Sequence, residues 1–457
     1  MAQGTWVRAA TDPATEGLPL LRAPGITLGE QGREIMRFAT FAAALALTTA
    51  APALAETFAI QAGAVVTDAD APVRGPSTVI VTDGRIVAIE DGAVAGPAGA
   101  TVVNMQGRTL VPGLTDLHVH LTGDPGGDFW KEAVEPEDWG VVVGAKNALA
   151  TVRAGFTTVR EAGSAPTTAF SLRRGTAEGL ISGPRIVAAG PPLAIIGGHG
   201  DVNGFRSDVN ELLNSGFTCT GPQECAAKVR KASQAGSDVI KITATGGVLS
   251  QQGRGLEAHF TSDEMTAIAD TAHSLGLKVM AHAHGARGIE AAARAGIDSI
   301  EHGTYLDEAA ARAMKERGTV LVPTLMAFQG VTERLGKGIY TPTVETKVRA
   351  VSETAKTFMT KAMKWGVPIA FGTDAGVFDH GRNAGEFRLM RAQGMSDRQA
   401  LASATTGAAR VLGLETEIGR IAPGYSADII AVTGDPTRDV TVLEKVEWVM
   451  ARGKVIP

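Results

Sequence analysis

The chain contains little cysteine and few aromatic side chains. Two of its 457 residues are cysteines, and phenylalanine, tryptophan and tyrosine together make up 5%. Structural zinc sites take four protein ligands, so two cysteines alone do not indicate such a site. A sugar-binding barrel would need clustered aromatic residues, and this composition offers few of them. A structural zinc module and a sugar-binding barrel are therefore both disfavoured.

An excess of positive charge is also absent. The formal net charge is -5 and the isoelectric point is about 6.0, so we expect neither nucleic acid nor an anionic membrane surface as a partner. No glycine-rich dinucleotide fingerprint follows the first strand of the main domain, which disfavours a doubly wound nucleotide-binding sheet. The length is sufficient for a large barrel with a second, smaller domain.

The N-terminal region has the pattern of an export signal that starts at an internal methionine. Met36 and Arg37 precede an apolar stretch that ends near Leu47, and the small residues Ala53 and Ala55 follow it in the run Ala-Leu-Ala. The apolar stretch is too short for a permanent membrane anchor, so we expect a signal peptide over 36–55, cut after Ala55. The alternative is a buried N-terminal helix.

The signal hypothesis has consequences for both ends of this region. Residues 1–35 would precede the signal and are expected to be disordered or to come from a start codon assigned too far upstream. The mature protein would be exported to the periplasm or secreted, with no membrane attachment. In an oxidising compartment Cys219 and Cys225 can form a disulfide, with two free thiols as the alternative.

The remaining sequence divides into two kinds of pattern. Residues 56–112 and 413–457 consist of short β-like runs, which we expect to pair into one small β domain. Between them, residues 113–412 alternate apolar runs of strand length with helical stretches, two of which open with capping boxes at Thr261 and Ser396. The predicted strands are 114–121, 156–163, 185–190, 239–246, 278–285, 299–303, 319–325 and 368–376. This alternation predicts an α/β fold of the parallel (β/α)8 TIM-barrel class.

Six polar residues lie where the predicted strands end, which is the side of a barrel that carries chemistry. They are His118, His120, Lys241, His282, His302 and Asp374. Taken singly, a histidine here is more often a hydrogen-bonded structural residue, and an aspartate before Ala-Gly is often a turn former. Taken together, they form a set of nitrogen and oxygen donors suited to a divalent metal. Lys241 stands between two isoleucines, where a charged amine is costly to bury.

This order of residues resembles the amidohydrolase superfamily. The shared features are the HxH motif, a lysine on the fourth strand, single histidines on the fifth and sixth strands, an aspartate on the eighth strand, and the C-terminal run "IGRIAPGYSADIIAV". The runs "IKITATGGVLS", "HAHGARGIEAAARAGIDSIEHG" and "GTDAGVFDHGRNAGEF" are similar to one branch of that superfamily. This branch contains Xaa-Pro dipeptidases, Xaa-Arg(Lys) carboxypeptidases and ochratoxinase-like enzymes.

The resemblance implies a site with two divalent metal ions, most often zinc, and an attacking hydroxide that bridges them. His118, His120 and Asp374 would bind one metal, His282 and His302 the other, and a carboxylated Lys241 would bridge the two. Asp374 would also be catalytic and would move the proton from the attacking water to the leaving amine. A non-catalytic binding barrel would be expected to lack some of these ligands, and all six are present.

The expected reaction is hydrolysis of the amide bond to a C-terminal amino acid in dipeptides or N-acyl amino acids. The alternative is a hydrolase of the same superfamily that opens a cyclic amide, a lactam or a lactone. His199 is the candidate for contacting the substrate carbonyl, and Tyr305, His284 and His380 are candidates for binding the substrate.

Four further residues bear weakly on the choice of substrate. Asp124 and Asp128 hint at a pocket for arginine or lysine. Arg254 and Arg382 are candidates for a C-terminal carboxylate, but both are expected to be solvated loop charges. The resemblance further implies a homo-oligomer.

Overall fold

The computed structural model describes residues 56–126, 129–251 and 255–457. The expected upstream segment 1–35 and signal peptide 36–55 lie outside these residues. These described residues form one compact unit, and the division into a small β domain and a barrel domain stays a prediction. Within the described residues, no helix is long and apolar enough to cross a membrane.

Strands from both ends of the chain pair in one sheet of seven, in the order β14-β13-β12-β4-β1-β2-β3. These strands are β1 (Thr57–Val65), β2 (Ser77–Thr82), β3 (Arg85–Asp91), β4 (Thr101–Pro112), β12 (Ile429–Val432), β13 (Val446–Ala451) and β14 (Lys454–Val455). The N-terminal β4 meets the C-terminal β12 in antiparallel register, with Ile429 opposite Pro112. Apolar residues of both segments, among them Ile60, Leu110 and Met450, form one buried cluster.

Seven further strands are parallel to their neighbours, in two sheets ordered β5-β6-β7 and β11-β10-β9-β8. They are β5 (Leu114–Val119), β6 (Phe156–Glu161), β7 (Arg185–Ala188), β8 (Val239–Thr243), β9 (Lys278–Ala283), β10 (Ser299–His302) and β11 (Val320–Val322). Leu193, which follows β7, forms a parallel bridge with Ile242 of β8 and so links the two sheets. Seven of the eight predicted strands are therefore present.

The eighth predicted strand, 368–376, is not a regular strand. It forms single parallel bridges instead, from Ile369 to Leu321 of β11 and from Ala375 to Val119 of β5. The segment therefore connects the outer strands of the two parallel sheets on the side opposite Leu193.

A side chain explains why the eighth segment leaves the strand conformation. The Thr373 N–H donates to Oδ1 of Asp116 over 3.1 Å, and the Thr373 hydroxyl donates to Oδ2 over 2.6 Å. The next residue, Asp374, has φ +62, a left-handed conformation that interrupts the pleat. The segment thus turns toward β5 at the residue that the site uses.

Thirteen α-helices lie between and after the strands in the part of the chain that the structure describes. They are α1 (Trp139–Arg153), α2 (Thr168–Ala177), α3 (Ser207–Leu213), α4 (Pro222–Ala235), α5 (Ser262–Ser274), α6 (Ala286–Arg294), α7 (Glu308–Arg317), α8 (Leu325–Glu333), α9 (Pro342–Thr354), α10 (Phe358–Lys364), α11 (Gly385–Ala392), α12 (Asp397–Ala404) and α13 (Thr406–Leu412). Both predicted capping boxes are confirmed, Thr261 with Glu264 on α5 and Ser396 with Gln399 on α12.

The two cysteines lie just before and within the first turn of α4. Cys219 and Cys225 are joined in a disulfide, and both are buried. The Cys219 N–H donates to the Ala194 carbonyl over 3.0 Å. The disulfide therefore joins the start of α4 to the segment that is hydrogen-bonded to Ala194.

Candidate active site

All six residues predicted from the strand ends line one cavity of about 480 Å³. His118 lies on β5 with His120 just after it, Lys241 lies on β8, His282 on β9 and His302 on β10. Asp374 reaches the same cavity from the irregular eighth segment. Parallel strands bring their carboxyl ends to one side of the fold, which is how residues from distant parts of the sequence meet here.

His118 and His120 face the carboxylate of Asp374. The Nε2 atoms of both rings lie 3.4 Å from Asp374 Oδ1. On the other side of each ring, Nδ1 of His120 lies 3.0 Å from the Gly163 carbonyl oxygen, and Nδ1 of His118 lies 2.9 Å from Oε2 of Glu301. A carbonyl oxygen only accepts, so His120 carries its proton on Nδ1 and turns the lone pair of Nε2 toward Asp374.

The carboxylate of Asp374 fits a bound cation. Its Oδ1 is buried and has no hydrogen-bond partner among the described residues. A buried acceptor that faces two further acceptor nitrogens is unfavourable unless a positive charge lies among them. Donor atoms of His118, His302 and Asp374 all lie within 4.8 Å of one another. The group can therefore hold a metal ion.

A second group overlaps the first at His302. Donor atoms of His282, His284 and His302 also lie within 4.8 Å of one another. Nδ1 of His302 lies 2.7 Å from Oγ1 of Thr324, and this hydroxyl itself donates to the Pro323 carbonyl. His302 therefore donates from Nδ1 and leaves Nε2 free to bind a metal.

His284 is predicted from the sequence to bind substrate, whereas the structure puts it in the second donor group. Nδ1 of His284 lies 2.8 Å from the Thr304 hydroxyl, an arrangement that orients the ring. The sequence contains an indication of this role for His284, because His282 and His284 are spaced two apart like His118 and His120. Residues two apart on a strand point to the same face.

Burial favours the neutral form of His120 and of the four histidines in these two groups. It lowers the pKa of His120 to about 4 and that of His284 to about 3. It also lowers the pKa of His118, His282 and His302 well below the usual value, and neighbouring positive or histidine groups add to the effect. Neutral imidazole is the form that binds a metal.

Burial acts on the other two ionisable residues in opposite directions. It lowers the pKa of Lys241, against the nearby charges of Glu301 and Asp374, which raise it. It raises the pKa of Asp374, against the charge of Lys241. Both shifts favour the uncharged forms of these two groups.

A buried ion pair behind His118 was not predicted from the sequence. Glu301 on β10 accepts from His118 through Oε2, and its Oε1 accepts from Arg160 Nη2 over 2.8 Å and from the Ser299 hydroxyl over 2.7 Å. Arg160 also donates to the Leu117 carbonyl over 2.7 Å. A carboxylate that accepts from a ligand histidine fixes its ring and increases the basicity of the opposite nitrogen. Both residues stand within strands, where a charged residue is costly unless it has a partner.

Two of the four predicted substrate contacts line the cavity, His199 and His284. Tyr305 and His380 are not among the described residues that line it, so a substrate contact by either of them stays a prediction. Tyr305 packs against the hydrophobic core. His380 lies 3.2 Å from the backbone oxygen of His120 and 3.3 Å from the Thr151 hydroxyl, so it contacts the chain behind the site.

The rest of the cavity wall is mostly apolar. Its side chains include Pro192, Val248, Leu249, Ala327, Phe328, Val331 and Val377.

Lys241 is the only lysine or arginine among the described residues of the lining. Asp124 is absent from this set and pairs with Lys146 over 2.6 Å, while Asp128 and Arg254 lie outside the described residues. Arg382, the other candidate for a carboxylate, pairs with Glu333 over 2.9 Å.

The parallel α/β fold with this cluster at the strand ends defines the class of the protein as an enzyme of the TIM-barrel type. Residues 109–456 match the amidohydrolase family model. The chain belongs to this family, and it is a hydrolase that acts on amide bonds.

Individual relatives agree with the branch predicted from the sequence. Ochratoxinase from Aspergillus niger is 31% identical over 358 residues, which are 74% of this chain and 72% of ochratoxinase. The structure of a Xaa-Pro dipeptidase with methionine bound in its active site has a TM-score of 0.82 and 36% identity, and the match covers 88% of this chain and 99% of the dipeptidase. Imidazolonepropionase from Mesorhizobium japonicum is 26% identical over 357 residues, 74% of this chain and 80% of that protein.

The ion pair behind His118 generates a testable prediction. Replacing Glu301 by glutamine removes the negative charge that increases the basicity of His118, with little change in volume. We expect the affinity for zinc to fall about 10- to 100-fold, measured by competition with a chromophoric chelator. Glu333→Gln, which alters an exposed pair with Arg382, is the matched control and is expected to keep the wild-type affinity. An unchanged affinity in Glu301→Gln would show that this carboxylate does not tune the site.

Proposed function

We propose that the protein is a binuclear metal-dependent amidohydrolase that cleaves the amide bond to a C-terminal amino acid in dipeptides or N-acyl amino acids. The observation that carries this proposal is the pair of overlapping donor groups that share His302, together with the partnerless Oδ1 of Asp374. The similarity to ochratoxinase and to a Xaa-Pro dipeptidase supports the choice of substrate class.

In this proposal His118, His120 and Asp374 would hold one metal, and His282 and His302 would hold the other. Lys241, carboxylated on its amine, would be a ligand of both. When bound, two divalent ions, which we take to be zinc, supply Lewis acidity toward the scissile carbonyl. The lowered pKa of Lys241 supports carboxylation, because the neutral amine is the form that reacts with carbon dioxide.

Asp374 is the residue proposed to move the proton. Its carboxylate lines the cavity, and the oxygen that does not hold the metal can accept a proton from the attacking water. The same oxygen then gives the proton to the nitrogen of the leaving amino acid. The left-handed backbone at Asp374 aims the side chain into the cavity at a position where strand geometry would not.

His199 is proposed to contact the carbonyl oxygen of the substrate. Its Nδ1 lies 2.5 Å from the Ser250 hydroxyl, and burial lowers the pKa of the ring well below its usual value. When Ser250 donates to Nδ1, the neutral ring carries its proton on Nε2. That N–H can donate to the oxygen on which negative charge develops.

The apolar wall favours substrates with apolar side chains over those that end in arginine or lysine. An acidic pocket would be needed to pair with a basic side chain, and Asp124 is already paired with Lys146 outside the cavity lining. Val248, Leu249 and Phe328 instead offer surface for an aliphatic or aromatic group.

A cyclic substrate is the second candidate. The similarity to imidazolonepropionase favours it, because the same donor groups would serve the opening of a cyclic amide, a lactam or a lactone. The two candidates differ in whether the bond that breaks leads to a free C-terminal amino acid.

We further propose that the parallel strands close as a (β/α)8 barrel with 368–376 as the eighth member. The bridges from Ile369 to Leu321, from Ala375 to Val119 and from Leu193 to Ile242 support this closure.

We also propose export of the mature chain from Glu56, with a periplasmic or secreted location. The disulfide between Cys219 and Cys225 supports an oxidising compartment. Assembly into a homo-oligomer stays a prediction.

A substrate panel with a Lys241→Ala variant tests the proposed function. Residues 56–457 would be assayed with Xaa-Pro, Xaa-Arg and Xaa-Lys dipeptides, N-acyl-phenylalanine, lactams and lactones. We expect turnover of N-acyl amino acids or dipeptides with apolar C-terminal residues, and a loss of more than about 1000-fold in kcat in Lys241→Ala, because the metals lose their shared ligand. The exposed Lys364, replaced by alanine, is the control. Turnover of lactams or lactones alone would contradict the peptidase assignment.

A further inference from the structure

The proposed substrate ends in a carboxylate, and the cavity has no evident cation to bind it. Among the described lining residues, Lys241 is the only lysine or arginine, and its place is between the two donor groups. Arg382, on the chain that follows the eighth segment, already pairs with Glu333. Any inference about the group that recognises this carboxylate therefore rests on the proposed function.

A buried lysine outside the donor groups lies directly behind one wall of the cavity. Lys347, on α9, is 9% exposed, and its Nζ donates to the carbonyl oxygens of Gly247 over 2.8 Å and of Ser250 over 2.6 Å. Val248 and Leu249, the two residues between these carbonyls, line the cavity. A single ammonium group therefore holds both ends of the wall segment, and Lys347 itself is not among the described residues that line the cavity.

The hydrogen bonds of Lys347 determine the direction of a backbone N–H group. In a trans peptide the C=O and N–H bonds point to opposite sides. Because the Gly247 carbonyl points at Lys347, the N–H of Val248 points away from Lys347. Within the described residues, no hydrogen bond is formed by the N–H of Val248 or of Leu249. Buried backbone donors are nearly always paired, so unpaired ones in a cavity wall are suited to a ligand.

The wall segment is held in place on several sides. A Cβ added to Gly247 would lie 2.2 Å from the ring of His199, so the backbone packs directly against that histidine. Gln251, just after the segment, accepts from the Thr341 hydroxyl over 2.9 Å, and its N–H donates to Oδ1 of Asn203 over 3.0 Å. The segment that carries the two N–H groups is therefore held at both of its ends before a substrate binds, which reduces the cost of ordering it.

We propose that the backbone N–H groups of Val248 and Leu249 form the subsite for the α-carboxylate of the substrate, and that Lys347 is its positioning residue. Lys347 orients the peptide group that carries the Val248 N–H and adds a positive charge behind this segment, in the manner of other anion sites built from successive N–H groups. Burial of the ammonium is compensated by its two carbonyl acceptors. The subsite lies beside His199, so a substrate bound there would have its C-terminal amide next to the residue proposed to contact the carbonyl.

The test compares each substrate with its C-terminal amide, which has no negative charge. We expect the wild-type enzyme to prefer the free acid. We also expect Lys347→Met to lower kcat/KM for the acid about 10- to 100-fold, mainly through KM. For the amide, the same variant should change kcat/KM by less than about 2-fold. The melting temperature of Lys347→Met would be recorded to establish that the variant is folded.

Three other variants distinguish this role from a structural one. Lys356→Met removes an exposed lysine just after α9 that pairs with Glu353, and it should match the wild type on both substrates. Ser250→Ala removes the hydroxyl that contacts His199 but leaves the backbone N–H groups of Val248 and Leu249. It should therefore lower kcat/KM for the acid and for the amide by the same factor. If Arg254→Met, rather than Lys347→Met, abolishes the preference for the acid, the proposal is wrong.

Failure of the subsite and failure of the proposed function give different results. Equal rates for acid and amide in the wild type would overturn the subsite while leaving amide hydrolysis intact. If no member of the panel is hydrolysed, calorimetry with N-acetyl-phenylalanine and its amide still tests the subsite. The acid should bind about 10- to 100-fold more tightly to the wild type than to Lys347→Met. Equal affinity of the wild type and Lys347→Met for the acid would overturn the subsite.

Discussion

The rest of the site depends on one constraint: nitrogen and oxygen atoms without a proton are held close together around Asp374. Nε2 of His118 and of His120 both lie 3.4 Å from Oδ1 of Asp374, and that oxygen is buried without a hydrogen bond in the described structure. Three acceptors so placed repel one another in the absence of a positive charge. The fold must therefore hold them together by other contacts, and a cation is the group that would relieve the repulsion.

Those other contacts lie behind the rings rather than in the cavity. Glu301 and the Gly163 carbonyl fix the two histidines through Nδ1. Arg160 pairs with the buried carboxylate of Glu301, so both of these charged groups have a partner of opposite charge. Backbone strain is also concentrated at the site, because His302 and Asp374 both have positive φ, a conformation that non-glycine residues adopt at a cost. The strand ends thus hold side chains in directions that regular strands would not give.

The part of the site that follows strand periodicity could be predicted from the sequence. Sequence periodicity indicates which face and which end of a strand a residue occupies. This applies to the HxH spacing, to the lysine between two isoleucines and to the apolar runs that end in polar residues. The same logic would have added His284 to the donor groups. It does not apply to His380 and Tyr305, which follow the strand ends and are not among the described residues of the cavity lining.

The remaining features depend on contacts between distant segments. Glu301 and Arg160 are 141 residues apart, and Lys347 reaches Gly247 across 100 residues, so no local pattern marks either pair. The irregular eighth strand arises from a hydrogen bond between Thr373 and Asp116, 257 residues away. A local run of apolar residues predicts a strand there, and only the tertiary contact explains the departure from it.

The number of metal ions bound per chain decides whether the donor groups form a binuclear site. Residues 56–457 would be purified, supplied with zinc, separated from free metal by gel filtration, and analysed by inductively coupled plasma mass spectrometry. We expect about two zinc ions per chain, since His118, His120 and Asp374 would hold one ion, and His282 and His302 would hold the other. A ratio near one would contradict the binuclear site, and the absence of bound metal would contradict metal binding by Asp374 and the histidines around it.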